Sequence, residues 1–208
     1  NTIIDNLEIC SENDTNILQD IININLLEDT IIELGYQEWE NGRLKSLILM
    51  NNNIHSLPNS FGELTNLEGL DLEFNSLVTL PESIGNLLNL KYLDLSSNQI
   101  ELLPETFYNL VNLQTLGLYN NNIAIMQNEI GQLSNLDFIN LSFNQLIYIP
   151  ETICSLQNII WNDIWAGLSY SYIYNNNICP PYPECIEEYI GYQNTLECNL
   201  DCVSGDLN

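Results

Sequence analysis

The sequence predicts a solenoid of stacked coils, on three observations: a spacing of 23 that recurs along most of the chain, an apolar pattern repeating in register with it, and a cysteine-dense end. The pairs Leu57-Pro58, Leu80-Pro81, Leu103-Pro104, Met126-Gln127 and Ile149-Pro150 stand 23 residues apart. Between them LxxLxLxxN returns as Leu67/Leu70/Leu72/Asn75, Leu90/Leu93/Leu95/Asn98, Leu113/Leu116/Leu118/Asn121 and Leu136/Ile139/Leu141/Asn144. An earlier copy is Leu44/Leu47/Leu49/Asn52. A coil of this length cannot bury its apolar face alone, whereas stacked neighbours build one continuous core.

Within each copy the second and third apolar residues alternate with a variable one, as in a short strand buried on one face. Leu47 and Leu49 therefore point inward and Ile48 outward. The recurring Asn sits where its amide can satisfy backbone groups of a buried turn, which is a structural role. The return arm reads SFGEL, SIGNL, TFYNL, EIGQL and TICSL, and its Phe61, Ile84, Phe107, Ile130 and Ile153 also step by 23.

Together these motifs resemble the 23-residue class of leucine-rich repeats, over residues 44–178. The resemblance implies an α/β solenoid: a right-handed, curved superhelix with a parallel β-sheet on its concave side. The return arms would then pack from the convex side. The pattern breaks once, where IYNNNI at 173–178 matches LYNNNI at 118–123 but arrives 32 residues after Leu141. The extra residues, near 161–169, carry two of the three tryptophans. They are expected to cover the last coil, with an exposed contact surface as the alternative, because an open solenoid end needs a cap.

Residues 1–43 are read as an N-terminal cap. The segment 11–24 has Ile17, Ile21 and Ile24 near helical spacing and Ser11 placed as N-cap. Residues 179–208 are read as a C-terminal cap with four of the six cysteines, and they resemble the cysteine-containing caps of secreted and cell-surface leucine-rich-repeat proteins. No cysteine pair has CxxC spacing, so a disulfide framework and an oxidising compartment are expected rather than a metal site.

Six cysteines allow 15 pairings. Cys154, Cys179, Cys185 and Cys198 are placed to pair among themselves, leaving Cys10 and Cys202 beyond opposite ends. Six strands span roughly 24 Å, and a disulfide bridges Cα atoms only up to about 7 Å apart. A Cys10–Cys202 bond would therefore join two subunits head to tail and generate a fibre. In the alternative, Cys202 pairs within the cap and Cys10 stays free.

Twenty-eight acidic residues against Arg43, Lys45 and Lys91 give a net charge of −25, which excludes nucleic acid and anionic membranes as partners. No apolar run is long enough to span a membrane. The start at Asn1 is read as that of a processed, exported chain, extracellular or at a cell surface. Asn13-Asp14-Thr15 and Asn140-Leu141-Ser142 match the glycosylation acceptor pattern, and the terminal Ser204-Gly205-Asp206-Leu207-Asn208 resembles the opening of a dockerin-type calcium loop.

The outward positions form three columns on the concave face. They run Ser46, Gly69, Tyr92, Thr115, Phe138, Tyr170; then Ile48, Asp71, Asp94, Gly117, Asn140, Tyr172; then Met50, Glu73, Ser96, Tyr119, Ser142, Tyr174. Parity aims Tyr92, Tyr119, Phe138, Tyr170, Tyr172 and Tyr174 away from the core, and exposed aromatics mark contact surfaces. Asp71, Glu73 and Asp94 are a weak calcium candidate, since like charges on neighbouring strands need screening. No other metal and no cofactor is expected. His55 is the one histidine and has no nucleophile partner, and no glycine-rich phosphate loop follows a strand. The expectation is a non-enzymatic module that recognises a protein or glycan, or mediates adhesion. The alternative is a subunit that assembles with identical copies into a filament.

Overall fold

A computed structural model describes residues 10–162, 170–196 and 198. The chain winds into a single solenoid around a six-stranded sheet of order β1-β2-β3-β4-β5-β6. Strands β2 (Arg43–Ile48), β3 (Gly69–Asp71), β4 (Tyr92–Asp94), β5 (Thr115–Gly117) and β6 (Phe138–Asn140) pair in parallel. Their register aligns Leu47, Leu70, Leu93, Leu116 and Ile139, all fully buried. The period of the sequence is thus the period of the core. Each return arm is a 3-10 turn, such as Glu82–Asn86, entered through an extended residue such as Pro81. Proline has no N–H to leave orphaned at such an entry.

The asparagine ladder acts as expected from Asn75 onward, whereas Asn52, the earliest copy, enters it only through its backbone N–H, which Asn75 Oδ1 accepts. Asn98 Nδ2 donates to the carbonyls of Leu72, Leu95 and Ser96, and its Oδ1 accepts from Leu77 N–H at 3.0 Å. Asn75, Asn121, Asn144 and Asn176 repeat the arrangement. Each side chain ties its own turn to the coil before it and satisfies backbone groups that would otherwise be buried without partners.

Both ends of the ladder are finished by residues outside the repeat. At the C-terminal end Gln193 takes the asparagine's part: Nε2 donates to Ile173 O at 3.1 Å and Oε1 accepts from Ile178 N–H at 3.4 Å. At the other end Asn25 accepts from the N–H groups of His55 and Ser56 and donates to Ser56 O. Asn25 lies on helix α1 (Glu12–Asn25), which Ser11 caps and which buries Ile17, Leu18, Ile21 and Ile22. Asp14 of α1 is fully buried and binds Arg43 Nε at 2.9 Å and Leu44 N–H at 2.9 Å, anchoring the helix to β2.

Residues before Arg43 do more than lead into the first parallel strand. They form β1 (Tyr36–Glu40), antiparallel to β2. The turn is Asn41-Gly42, with φ of 52° and 76°, the left-handed pair that a two-residue hairpin requires. At the far end the sixth parallel strand shrinks to a bridge between Asn140 and Tyr172. Trp161, 8% exposed, bridges to Ser171, which places the start of the insertion against the last coil. Residues 163–169 of that insertion lie outside the described residues, as do Cys202 and the terminal segment 204–208.

Two departures from the repeat meet on the convex side. The return-arm glycines Gly62, Gly85 and Gly131 leave no room for a Cβ, which would collide with Ser83, Thr106 and Thr152 of the following coil. Tyr108 stands at the equivalent place in the third arm and is buried. Its hydroxyl lies 3.7 Å from the sulfur of Met126, the residue where the repeating Leu-Pro is itself replaced. The ring, packed edge-on against Phe107, occupies space that elsewhere is filled by the approach of two backbones. Burial pushes the Tyr108 phenol up to about 12.

The C-terminal cap is held by Cys154–Cys185 and Cys179–Cys198, each with Cα atoms 5.6 Å apart. These are the four cysteines expected to pair among themselves. Cys10 is free and half-buried; burial, then the nearby Asp14 charge, raises its thiol above the ordinary range. Asn13 is exposed on α1, but Asn140 is 6% exposed and committed to the sheet, so the second acceptor pattern is structural. Among the described residues no helix is long and apolar enough to cross a membrane.

Candidate concave-face binding site

The strand register brings the three outward columns together as expected, but it does not leave all of their aromatics in solvent. Tyr92 is 40% exposed, and Tyr119, Tyr170 and Tyr174 are half-buried. Phe138 and Tyr172 are buried, at 8% and 0% exposure, which corrects their reading as surface residues. Parity fixes a side chain's direction, not its accessible area. The rings pack edge to face: Phe138 on Tyr172 at 6.5 Å, Tyr172 on Tyr174 at 6.0 Å, Tyr174 on Phe143 at 5.7 Å and Phe143 on Tyr119 at 5.1 Å. Such contacts bury each ring in its neighbours.

Phe143 was missed as a member of this cluster. It occupies the left-handed position that closes each strand, with φ near 57°, in a column of Asn51, Phe74, Ser97, Asn120 and Phe143. The recurrence at 23 was the available signal; the strain of an aromatic there was not visible from it.

At the centre of the concave face lies a cavity of about 450 Å³. One wall is aromatic, from Tyr119, Phe138 and Tyr174; the opposite wall is acidic, from Glu73 and Asp94. Ser96, Gly117 and Asn140 complete it. Gly117 creates the space, because a Cβ there would strike the Asp94 carboxylate. It is the one glycine in the middle column, and that was the legible clue to the gap.

The polar members are set in place by their own backbone. Asp94 Oδ1 accepts from Ser96 N–H at 2.8 Å, Asp71 Oδ1 from Glu73 N–H at 2.9 Å, and Asn140 Oδ1 from Ser142 N–H at 3.1 Å. The Tyr92 hydroxyl donates to Asp94 Oδ2 at 3.4 Å. Ser96 and Asn140 are each 6% exposed, yet Ser96 Oγ and Asn140 Nδ2 make no hydrogen bond to another described residue.

The field over this face is unneutralised. All three cations of the chain are engaged elsewhere: Arg43 with Asp14, Lys45 with Glu40 and Lys91 with Glu68. Burial, followed by the charge of Asp94, raises the Glu73 carboxyl above its ordinary range; burial raises that of Asp71, with Asp94 again contributing. Burial and the same carboxylates push the Tyr92 phenol well upward. Among the described residues no group of three or more acidic, His or Cys side chains converges as metal ligands. Asp71 and Asp94 each spend one carboxylate oxygen, Oδ1, on their own backbone.

A second hollow, of about 520 Å³, runs along the side of the solenoid beside Leu102 and Ile125. Its amides are already used, with Gln145 donating to Asn122 and Asn122 to Gln99 O. It offers apolar contact and the Glu101 carboxylate, but no aromatic wall.

This geometry defines a leucine-rich-repeat solenoid with a capped core and a recessed concave site. The chain has the leucine-rich-repeat fold, and the leucine rich repeat family model matches its residues 42–100, within the coils that the structure builds in register. Among solved structures it is similar to a leucine-rich-repeat protein of Leptospira interrogans, at 28% identity and a TM-score of 0.55, covering 67% of this chain and 43% of that one. It is also similar to the ectodomain of the plant membrane receptor kinase GASSHO1/SCHENGEN3 from Arabidopsis thaliana, in complex with Casparian strip integrity factor 2. There the identity is 29% and the TM-score 0.61, covering 71% of this chain and 18% of that one. PEPR1, in a structure with AtPEP1, shares the fold at 22% identity and a TM-score of 0.68, over 85% of this chain and 26% of its own. The chain therefore spans less than half the length of each of these structures. None of the curated proteins matches it.

Proposed function

We propose that this chain is a non-enzymatic recognition module, acting outside the cell, whose concave face holds a segment of a protein ligand in the cavity beside Gly117. The observation that carries the reading is the pair Ser96 and Asn140: nearly buried, aimed into a cavity, and with polar atoms unspent. Convergent polar groups beside aromatic walls are the usual make-up of a binding site. The Arabidopsis ectodomain in complex with its factor supports a protein ligand for a solenoid of this kind. The two disulfides support an oxidising compartment. Tyrosine faces also suit sugar rings, so adhesion to a glycan is the competing use of the same surface.

The test is selection of peptides from a random display library on the intact chain, followed by Tyr119→Ala and Tyr174→Ala. Both residues are half-buried and reachable, whereas Tyr172 is buried and its removal would report on packing. Loss of binding at a temperature where the variant is still folded is expected, with a modest fall in melting temperature because the two rings also pack on Phe143 and Tyr172. Retained binding would remove the concave face from the account.

A second reading, end-to-end assembly of identical copies, is favoured by one feature, the unpaired Cys10 in the N-terminal cap. Its raised thiol lowers the thiolate fraction and slows any exchange reaction. Light scattering with and without reductant separates the cases. A 23.8 kDa species in both conditions supports the recognition module. Large assemblies that collapse on reduction, and that Cys10→Ser abolishes, support the filament.

A further inference from the structure

Resting on the concave-face reading, we propose that the cavity beside Gly117 is an arginine pocket: it takes the guanidinium of a basic peptide segment between Asp94 and Glu73 on one side and the rings of Tyr119, Phe138 and Tyr174 on the other. The two walls call for one ligand chemistry. An aromatic face attracts a cation through its quadrupole. A carboxylate binds a guanidinium by charge-assisted hydrogen bonds, and the planar fork of arginine can meet a carboxylate edge-on while its face lies on a ring.

Asp94 is preset for this role. Its Oδ1 is held by Ser96 N–H at 2.8 Å, while Oδ2 has only the Tyr92 hydroxyl at 3.4 Å and retains acceptor capacity toward the cavity. The absence of a side chain at Gly117 leaves that carboxylate uncovered. No internal cation competes, since Arg43, Lys45 and Lys91 are paired with Asp14, Glu40 and Glu68.

The unspent polar atoms identify what the cation is attached to. Asn140 Nδ2 is a donor and cannot serve a guanidinium, which is itself donor-only. It matches a carbonyl oxygen, as a peptide backbone beside the arginine supplies. Ser96 Oγ can accept from the guanidinium or from a backbone N–H. A net charge of −25 adds long-range attraction for a basic segment and repels acidic ones.

The probes are N-acetyl-arginine amide and its uncharged isostere N-acetyl-citrulline amide, each titrated into the isotopically labelled chain and followed by NMR. The arginine probe is expected to shift the Gly117 amide and the Asn140 side-chain amide saturably, while citrulline leaves them in place. Asp94→Asn keeps an oxygen for Ser96 N–H and so preserves the local turn; it should weaken the arginine probe at least tenfold. Gly117→Ala, which crowds the carboxylate, should weaken it as well.

Equal shifts from arginine and citrulline, or an Asp94→Asn variant that binds arginine as before, would overturn the proposal. The same spectra keep the two readings apart. If neutral peptides or oligosaccharides shift these signals and arginine does not, the face binds but is not an arginine pocket. If display-selected peptides leave the whole concave face unmoved, the recognition reading falls with it.

Discussion

The middle column of the concave face and the asparagine column a few residues further along have the same period and opposite freedoms. Asn75, Asn98, Asn121, Asn144 and Asn176 form five like rungs, each serving the same backbone groups of its own and the preceding coil. The middle column changes at every step, Ile48, Asp71, Asp94, Gly117, Asn140 and Tyr172, and at its centre opens into a cavity. Stacking dictates the first column and leaves the second open. In this solenoid, identity at a recurring position reports on the fold, and variation reports on what the surface is for.

The sharpest way to break the dictated side is to hollow it. Leu93→Ala removes a fully buried side chain at the middle of the sheet and should cost about 3–5 kcal/mol in denaturant unfolding. Opening Cys154–Cys185 by a paired change to serine should cost about 3 kcal/mol, and more than opening Cys179–Cys198. The first bond spans 31 residues and the second 19, so it restrains the unfolded chain more. Asn121→Ala leaves the Ile100 N–H without its partner and the Leu95 and Leu118 carbonyls with only Asn98 and Asn144 as side-chain donors, and should cost about 2 kcal/mol.

On the open side the expected sign reverses. The Asp71 carboxyl has its folded-state pKa raised, chiefly by burial, so its charged form weakens the fold. The contribution of such a group is fully present below its ordinary value of 3.8 and is lost as pH rises through the raised one. Asp71→Asn, which still accepts from Glu73 N–H, should stabilise the chain at pH 7 by less than about 1 kcal/mol, discounted because the group is half exposed to solvent. The gain should vanish below pH 3.8, a crossing that thermal melts across pH will show or refute.

What was legible in the sequence divides along the same line. The inward leucines, the asparagine rungs, the N-capping Ser11 and the four paired cysteines were readable because each depends on its own repeat or its own neighbourhood. The β1 hairpin, the meeting of Tyr108 with Met126, and Gln193 acting as a final rung were not, because each is a contact between one irregular residue and another element. The candidate site was half legible. The columns predicted which side chains share a face, but not that Phe138 and Tyr172 would be buried in their own cluster. Nor did they predict that Gly117, through what it lacks, would define the cavity.

The measurement that tests the account most directly compares two surfaces of one molecule. A display-selected peptide is titrated against the wild-type chain, a concave variant (Tyr119→Ala with Tyr174→Ala) and a lateral variant (Leu102→Ala with Ile125→Ala). The account predicts at least a hundredfold rise in Kd for the concave variant and a change of less than about twofold for the lateral one, where the residues are exposed and the amides already paired. The reverse order, or an equal loss in both, would contradict it.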